Sequence, residues 1–84
     1  MTNVSEKDLI DVVSYLTNKP NDDCAEIVKT VFDVMFDNVI SGNRIIIPNF
    51  GVFEIEELVP ERKLPSFIPS HMLVSEVNGA SHDI

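Results

Sequence analysis

"FGVFEIEELVPERKLPSF", residues 50–67, holds the pattern that decides the fold. Phe53 and Ile55 alternate with Glu54 and Glu56, the period of a strand that buries one face and shows acid on the other. The run ends through Glu57, and only "LVPERK" separates it from "LPSF". Immediately upstream, "RIIIPN" supplies a second β-rich run. The breaker Pro48-Asn49-Phe50-Gly51 lies between the two, with Gly51 free to take positive φ and Pro48 unable to donate to a ladder. An antiparallel hairpin follows.

Working outward, prolines 60, 65 and 69 leave room for a short strand at about 64–68. Ser70 can then cap a last helix of about 71–78 ended by Gly79, and "ASHDI" reads as part of a flexible tail, 79–84. Towards the N-terminus, Ser5 with Asp8 forms a capping-box pattern, and Leu9, Val12, Val13 and Leu16 mark one stripe of a helix over about 6–18. Lys19-Pro20-Asn21 breaks it. Asn21 reads as the N-cap of a second helix whose first turn carries Asp22 and Asp23, suiting the helix dipole, and which runs to about Ser41 before Gly42.

That second helix has a broad apolar face: Cys24, Ile27, Val28, Val31, Met35 and Val39, widened by Phe32, Phe36 and Ile40. One small sheet and one helix cannot cover such breadth. Its opposite stripe, Asp22, Glu26, Lys29, Asp33 and Asp37, is nearly all acid and must face water or a basic partner.

The 84 residues form at most one domain, 1–78, of class α+β, with a core too modest to stand alone. Dimerisation is the expected remedy. Hydrophobic residues make up 44% of the chain, too many for a disordered acidic tail, while charge interrupts every candidate membrane span. Fourteen acids against six bases give a net charge of −8, so a dimer carries twice that, −16, a field that repels phosphate backbones and anionic lipid. The single Cys24 excludes an intrachain disulfide and, at an apolar-periodic position, reads as a packing thiol. With no basic or apolar leader at the start of the chain, cytoplasmic residence is expected.

Chemistry is sparse. His71 and His82 have no companion at metal spacing, the carboxylates lie on solvated faces, and no nucleophile-base order or phosphate loop occurs. No cofactor, no metal and no catalytic residue is expected, and the chain reads as a binding or structural protein.

The order α-α-β-hairpin-β-α, with "SGNRIIIPNFGVFEIEE" and "RKLPSFIPSHMLVSEVN", resembles the HU/IHF family of bacterial histone-like proteins. The resemblance runs from Lys7 to Asn78, and its most specific pieces are Phe50-Gly51-x-Phe53-Glu54 and Pro65-x-Phe67-x-Pro69. It implies an intertwined homodimer in which Phe32, Phe50, Phe53 and Phe67 fill a shared core. It also implies DNA bending by long β-arms with arginines and an intercalating proline. Here the arm is cut short and its tip is absent. Glu56 and Leu58 stand where the family has arginines, and Ile68, Ser70 and His71 stand where it has lysines. Only Lys7, Arg44, Arg62 and Lys63 remain as footing for phosphate, and DNA affinity rests on neutralising several phosphates at once.

The expectation is therefore a DNA-mimicking antagonist, a reading that would suit a bacteriophage or mobile element. Glu54, Glu56, Glu57 and Glu61, with Asp22, Asp23 and Glu26, would present acid to a basic nucleoid-associated protein of the HU type, while DNA binding by the chain itself would be weak or absent. The alternatives are a divergent family member that still binds DNA through Arg44, Arg62 and Lys63, and a structural or assembly module.

Overall fold

A computed structural model describes residues 2–79. The elements are α1 (Glu6–Thr17), α2 (Asn21–Ile40), β1 (Ile45–Ile47), β2 (Gly51–Val59), β3 (Arg62–Pro69) and α3 (His71–Val77). The chain divides into two units, Met1–Val34 and Met35–Ile84. The expected flexible tail falls on residues of which only Gly79 is described.

In the first unit the capping box forms. The Asp8 amide donates to Ser5 Oγ at 3.1 Å, and the Ser5 amide donates to Asp8 Oδ2 at 3.0 Å. Together they satisfy donors that an open helix start leaves bare. Asn18, at φ 57, closes α1 in the left-handed conformation. The buried side chain of α1 is Ile10, outside the expected stripe: Leu9, Val12 and Leu16 stay exposed and Val13 is half-buried.

Asn21 is the first residue of α2 and not its cap; its side-chain amide donates to Asp11 Oδ1 at 2.9 Å, tying the start of α2 to α1. Cys24 is 2% exposed, with its sulfur 3.7 Å from Thr17 Oγ1 and 3.9 Å from the Lys19 carbonyl, which it meets as a weak donor. It is the packing thiol that its position suggests.

In the second unit α2 ends in a Schellman motif. The Asn43 amide donates to the Asn38 carbonyl and the Gly42 amide to the Val39 carbonyl, both at 3.0 Å, with Gly42 at φ 86. The three strands form one antiparallel sheet in the order β1-β2-β3. Between β1 and β2 the Phe50 amide donates to the Ile47 carbonyl, with Pro48 and Asn49 between them. Here Asn49, at φ 65, takes the left-handed position that a type II turn requires.

Gly51 takes the positive φ its place beside the turn suggests, 158, and is needed for a second reason as well. A Cβ there would lie 2.5 Å from the Ile68 carbonyl oxygen and 2.5 Å from Phe67 Cε1, so the neighbouring strand and ring approach only because no side chain intervenes.

β3 begins at Arg62, two residues before the expected start, because the ladder continues past Ile55↔Pro65 through Glu56↔Leu64 and Glu57↔Lys63 to a bulge and the pair Val59↔Arg62. The arm survives as this stub, turned at Pro60-Glu61. Ser70 caps α3 by accepting the Leu73 amide at 3.0 Å. Gly79, at φ 68, follows the helix.

Candidate partner-binding face

Strand register sorts the sheet residues onto two faces. Ile45 pairs with Phe53 and Phe53 with Phe67, while Ile55 pairs with Pro65; these side chains share one face. The rings of Phe50, Phe53 and Phe67 cluster there, with centroids 4.7 Å apart for Phe53 and Phe67, 5.4 Å for Phe50 and Phe67, and 6.4 Å for Phe50 and Phe53. Val39 of α2 lines a hollow with Phe53, Pro65 and Phe67. Phe32, expected in the same core, lies in the first unit, where it lines an apolar hollow of about 270 Å³ with Leu9, Val13, Ile27, Val28 and Val31.

The opposite face carries Glu54 and Glu56, as the alternation predicts, together with Ile46, Val52, Arg62, Leu64, Ser66 and Ile68. Glu54 is only partly available. Arg44 Nε donates to its Oε1 at 2.9 Å, and the carboxylate side chain keeps 26% exposure. The same bond occupies Arg44, one of the four residues expected as footing for phosphate. Glu56 is open to solvent.

Glu57 falls on the phenylalanine side of the sheet, across from Lys63, and Glu61 sits at the hairpin turn with Arg62 beside it. The stub therefore mixes both signs. Asp22, Asp23 and Glu26 are placed on the first turns of α2 in the first unit, with Asp22 and Asp23 exposed. Lys7 donates to Asp11 at 3.0 Å; that bond raises the lysine pKa, and together with the Asn21 amide it lowers that of Asp11. His71 is exposed at the start of α3, and His82 lies outside the described residues. Among the described residues no group of three or more His, Cys, Asp or Glu is placed to hold a metal, and no helix is long and apolar enough to cross a membrane.

The aliphatic members of the outer face are what a reading of charge alone misses. Residues of even number from 52 to 56 share a face, so Val52 was legible from the alternation. Placing Ile46, Leu64 and Ile68 beside it needed the register.

Two N-terminal helices, a three-stranded antiparallel sheet with a β2-β3 hairpin and a capped C-terminal helix define the class of small bacterial DNA-binding folds. Residues 4–59 match the family described as bacterial DNA-binding protein, and the chain belongs to that family, the HU-type histone-like proteins. It is similar to a mutant of HU from Thermotoga maritima at 30% identity and a TM-score of 0.78, covering 87% of this chain and 97% of that one. The structure of HU from Thermotoga maritima aligns over the same shares at 27% identity and 0.72. An Anabaena HU–DNA cocrystal structure shares the fold at 17% identity and 0.76, covering 87% of this chain and 96% of that one. No curated protein matches the chain.

Proposed function

We propose that this family member acts on a basic DNA-binding protein and not on DNA: a non-enzymatic, DNA-mimicking antagonist that works as a homodimer in the cytoplasm and meets the nucleoid through its partner. The observation that carries this reading is the outer sheet face, where Glu54 and Glu56 stand, Arg44 is consumed by Glu54, and Arg62 at the far end of β3 is the one further cation among the described residues of that face. A surface that binds phosphate must neutralise several at once and release their counterions. This one offers acid, and a dimer at −16, twice −8, adds a field that steers basic proteins toward it.

The homodimer is supported by the apolar side chains that one chain leaves open, among them Ile27, Phe32, Phe36 and Ile40 on α2. The best-fitting target is an HU-type protein, whose basic surface complements this one. A second reading, residual DNA binding, is favoured by Arg62 and Lys63, exposed at the end of the hairpin.

Titration of the protein into an HU–DNA complex tests the proposal. Release of the DNA, abolished by Glu54→Lys with Glu56→Lys, is the expected result. Retention of the DNA by HU at saturating protein would overturn it.

A further inference from the structure

A strand at the edge of a sheet is a template for pairing unless something blunts it. β3, one edge of this sheet, is blunted. Register pairs Pro65 with Ile55 and Pro69 with Gly51, and both prolines lack the N–H that a further strand would need. β2 is uncovered from Glu54 to Val59, where β1 has ended, and this stretch carries Glu54, Glu56 and Glu57. If a second copy paired there antiparallel, any register centred on Glu54 to Glu57 would set acid against acid, which destabilises a strand pair.

β1 is guarded by neither proline nor acid. Ile45, Ile46 and Ile47 pair with β2 on one side, and among the described residues no strand lies on the other. The Ile47 carbonyl accepts from the Phe50 amide across the turn, so the polar backbone groups of Ile47 point toward β2. Strand alternation then turns the N–H and C=O of Ile46 outward. The Ile46 side chain stands on the outer face at 67% exposure. It ends a row: Ile46 pairs with Val52 and Val52 with Ile68, so three β-branched side chains stand abreast across the sheet.

Charge and symmetry select the occupant. The chain carries −8, so a second copy is repelled wherever acid meets acid. At this edge it meets none, because β1 is uncharged and Arg44, which precedes it, is paired to Glu54. An antiparallel pair about a two-fold axis at Ile46 sets Ile46 against Ile46 and Ile45 against Ile47 of the second copy. The two Ile46 residues then exchange both N–H···O bonds, and β-branched side chains meet across the join. The axis passes through the end of the aliphatic row, so the rows of the two copies continue into each other. Such a contact is isologous, and only a second copy carries its match by symmetry.

We infer that β1 is a self-pairing edge: two copies join β1 to β1, antiparallel about Ile46, and merge their sheets into one. The joint uses none of the helical side chains that support the homodimer and does not rest on the antagonist reading. With three residues a side it is weak, and it forms at high protein concentration.

The test places charge on the axis. Isotope-labelled and unlabelled full chains are mixed in equal amounts at millimolar concentration, and filtered NMR spectra record contacts between copies. The wild type should show cross-peaks from Ile46 to Ile46 and from Ile45 to Ile47 of the other copy. Ile46→Asp and Ile46→Lys, at a position open to solvent, should each lose the Ile45–Ile47 cross-peaks, since each sets like charge on like charge. Mixing the two variants should restore them. Cross-peaks absent from the wild type, kept by either variant alone, or not restored by the mixture would overturn the inference. So would cross-peaks confined to Leu9, Ile27 and Phe32, because copies would then meet through their helices alone.

Discussion

At the scale of single residues, Gly51 and Asp11 bear the most. Because an added Cβ at Gly51 would press on a backbone carbonyl and a phenylalanine ring, at a backbone φ that side chains rarely adopt, Gly51→Ala should cost about 1–3 kcal/mol, measured by urea denaturation. The sequence flags this glycine for positive φ, which it takes at 158, but not for the close approach of its neighbours. The left-handed turn position itself went to Asn49, and the demand for a missing side chain at Gly51 comes from β3, a strand that pairs with β2 only in three dimensions. Asp11 was not legible as a partner of Asn21 at all, since Asn21 fits a capping role equally well on paper. With its pKa held below the ordinary 3.8 by Lys7 and Asn21, the Asp11 carboxylate adds stability above that value and loses it as pH falls through the lowered one. The gap in thermal midpoint between the wild type and Asp11→Asn at neutral pH should therefore close at pH values below the lowered pKa. Lys7 has the opposite sign: its raised pKa contributes below 10.5 and fades as the solution becomes more alkaline than the raised value.

At the scale of elements, the helix ends were read almost completely because capping is local chemistry. The box of Ser5 and Asp8, Gly42 after α2 and Ser70 before α3 each act within a few residues of where they stand. Ser5→Ala should lower stability by about 1 kcal/mol by freeing the Asp8 amide, a change that a thermal melt followed by circular dichroism will register. The β2-β3 hairpin was harder. Its prolines argued for a short last strand, yet Pro65 and Pro69 lie on an edge strand, where a missing donor costs little, and pairing runs out to Val59 and Arg62. What the sequence did reveal was the loss of the long arm. The alternation alone already sets Glu57 on the side opposite Glu54 and Glu56, since the bulge comes only after it; what the sequence could not reveal was its cross-strand partner, Lys63.

At the scale of the whole molecule, the chain keeps a DNA-binding family's fold and carries acid on the outer face of its sheet. The apolar side chains left open, Leu9, Val31 and Phe32 among them, predict a dimer, so light scattering should return about twice 9.4 kDa. Phe32→Ser should shift the population toward monomer or unfolded chain. The acid was legible from composition and its position from the family motifs. The aliphatic row beside Glu54 was not, because Ile46, Val52 and Ile68 come from three strands that only the sheet brings abreast. The most direct check of the central claim is electrophoretic retardation of duplex DNA by the protein alone at low salt, the condition that favours any cationic contact with phosphate. Unretarded DNA across the titration is the predicted result. A retarded band that Arg62→Gln with Lys63→Gln abolishes would contradict it and return the chain to DNA.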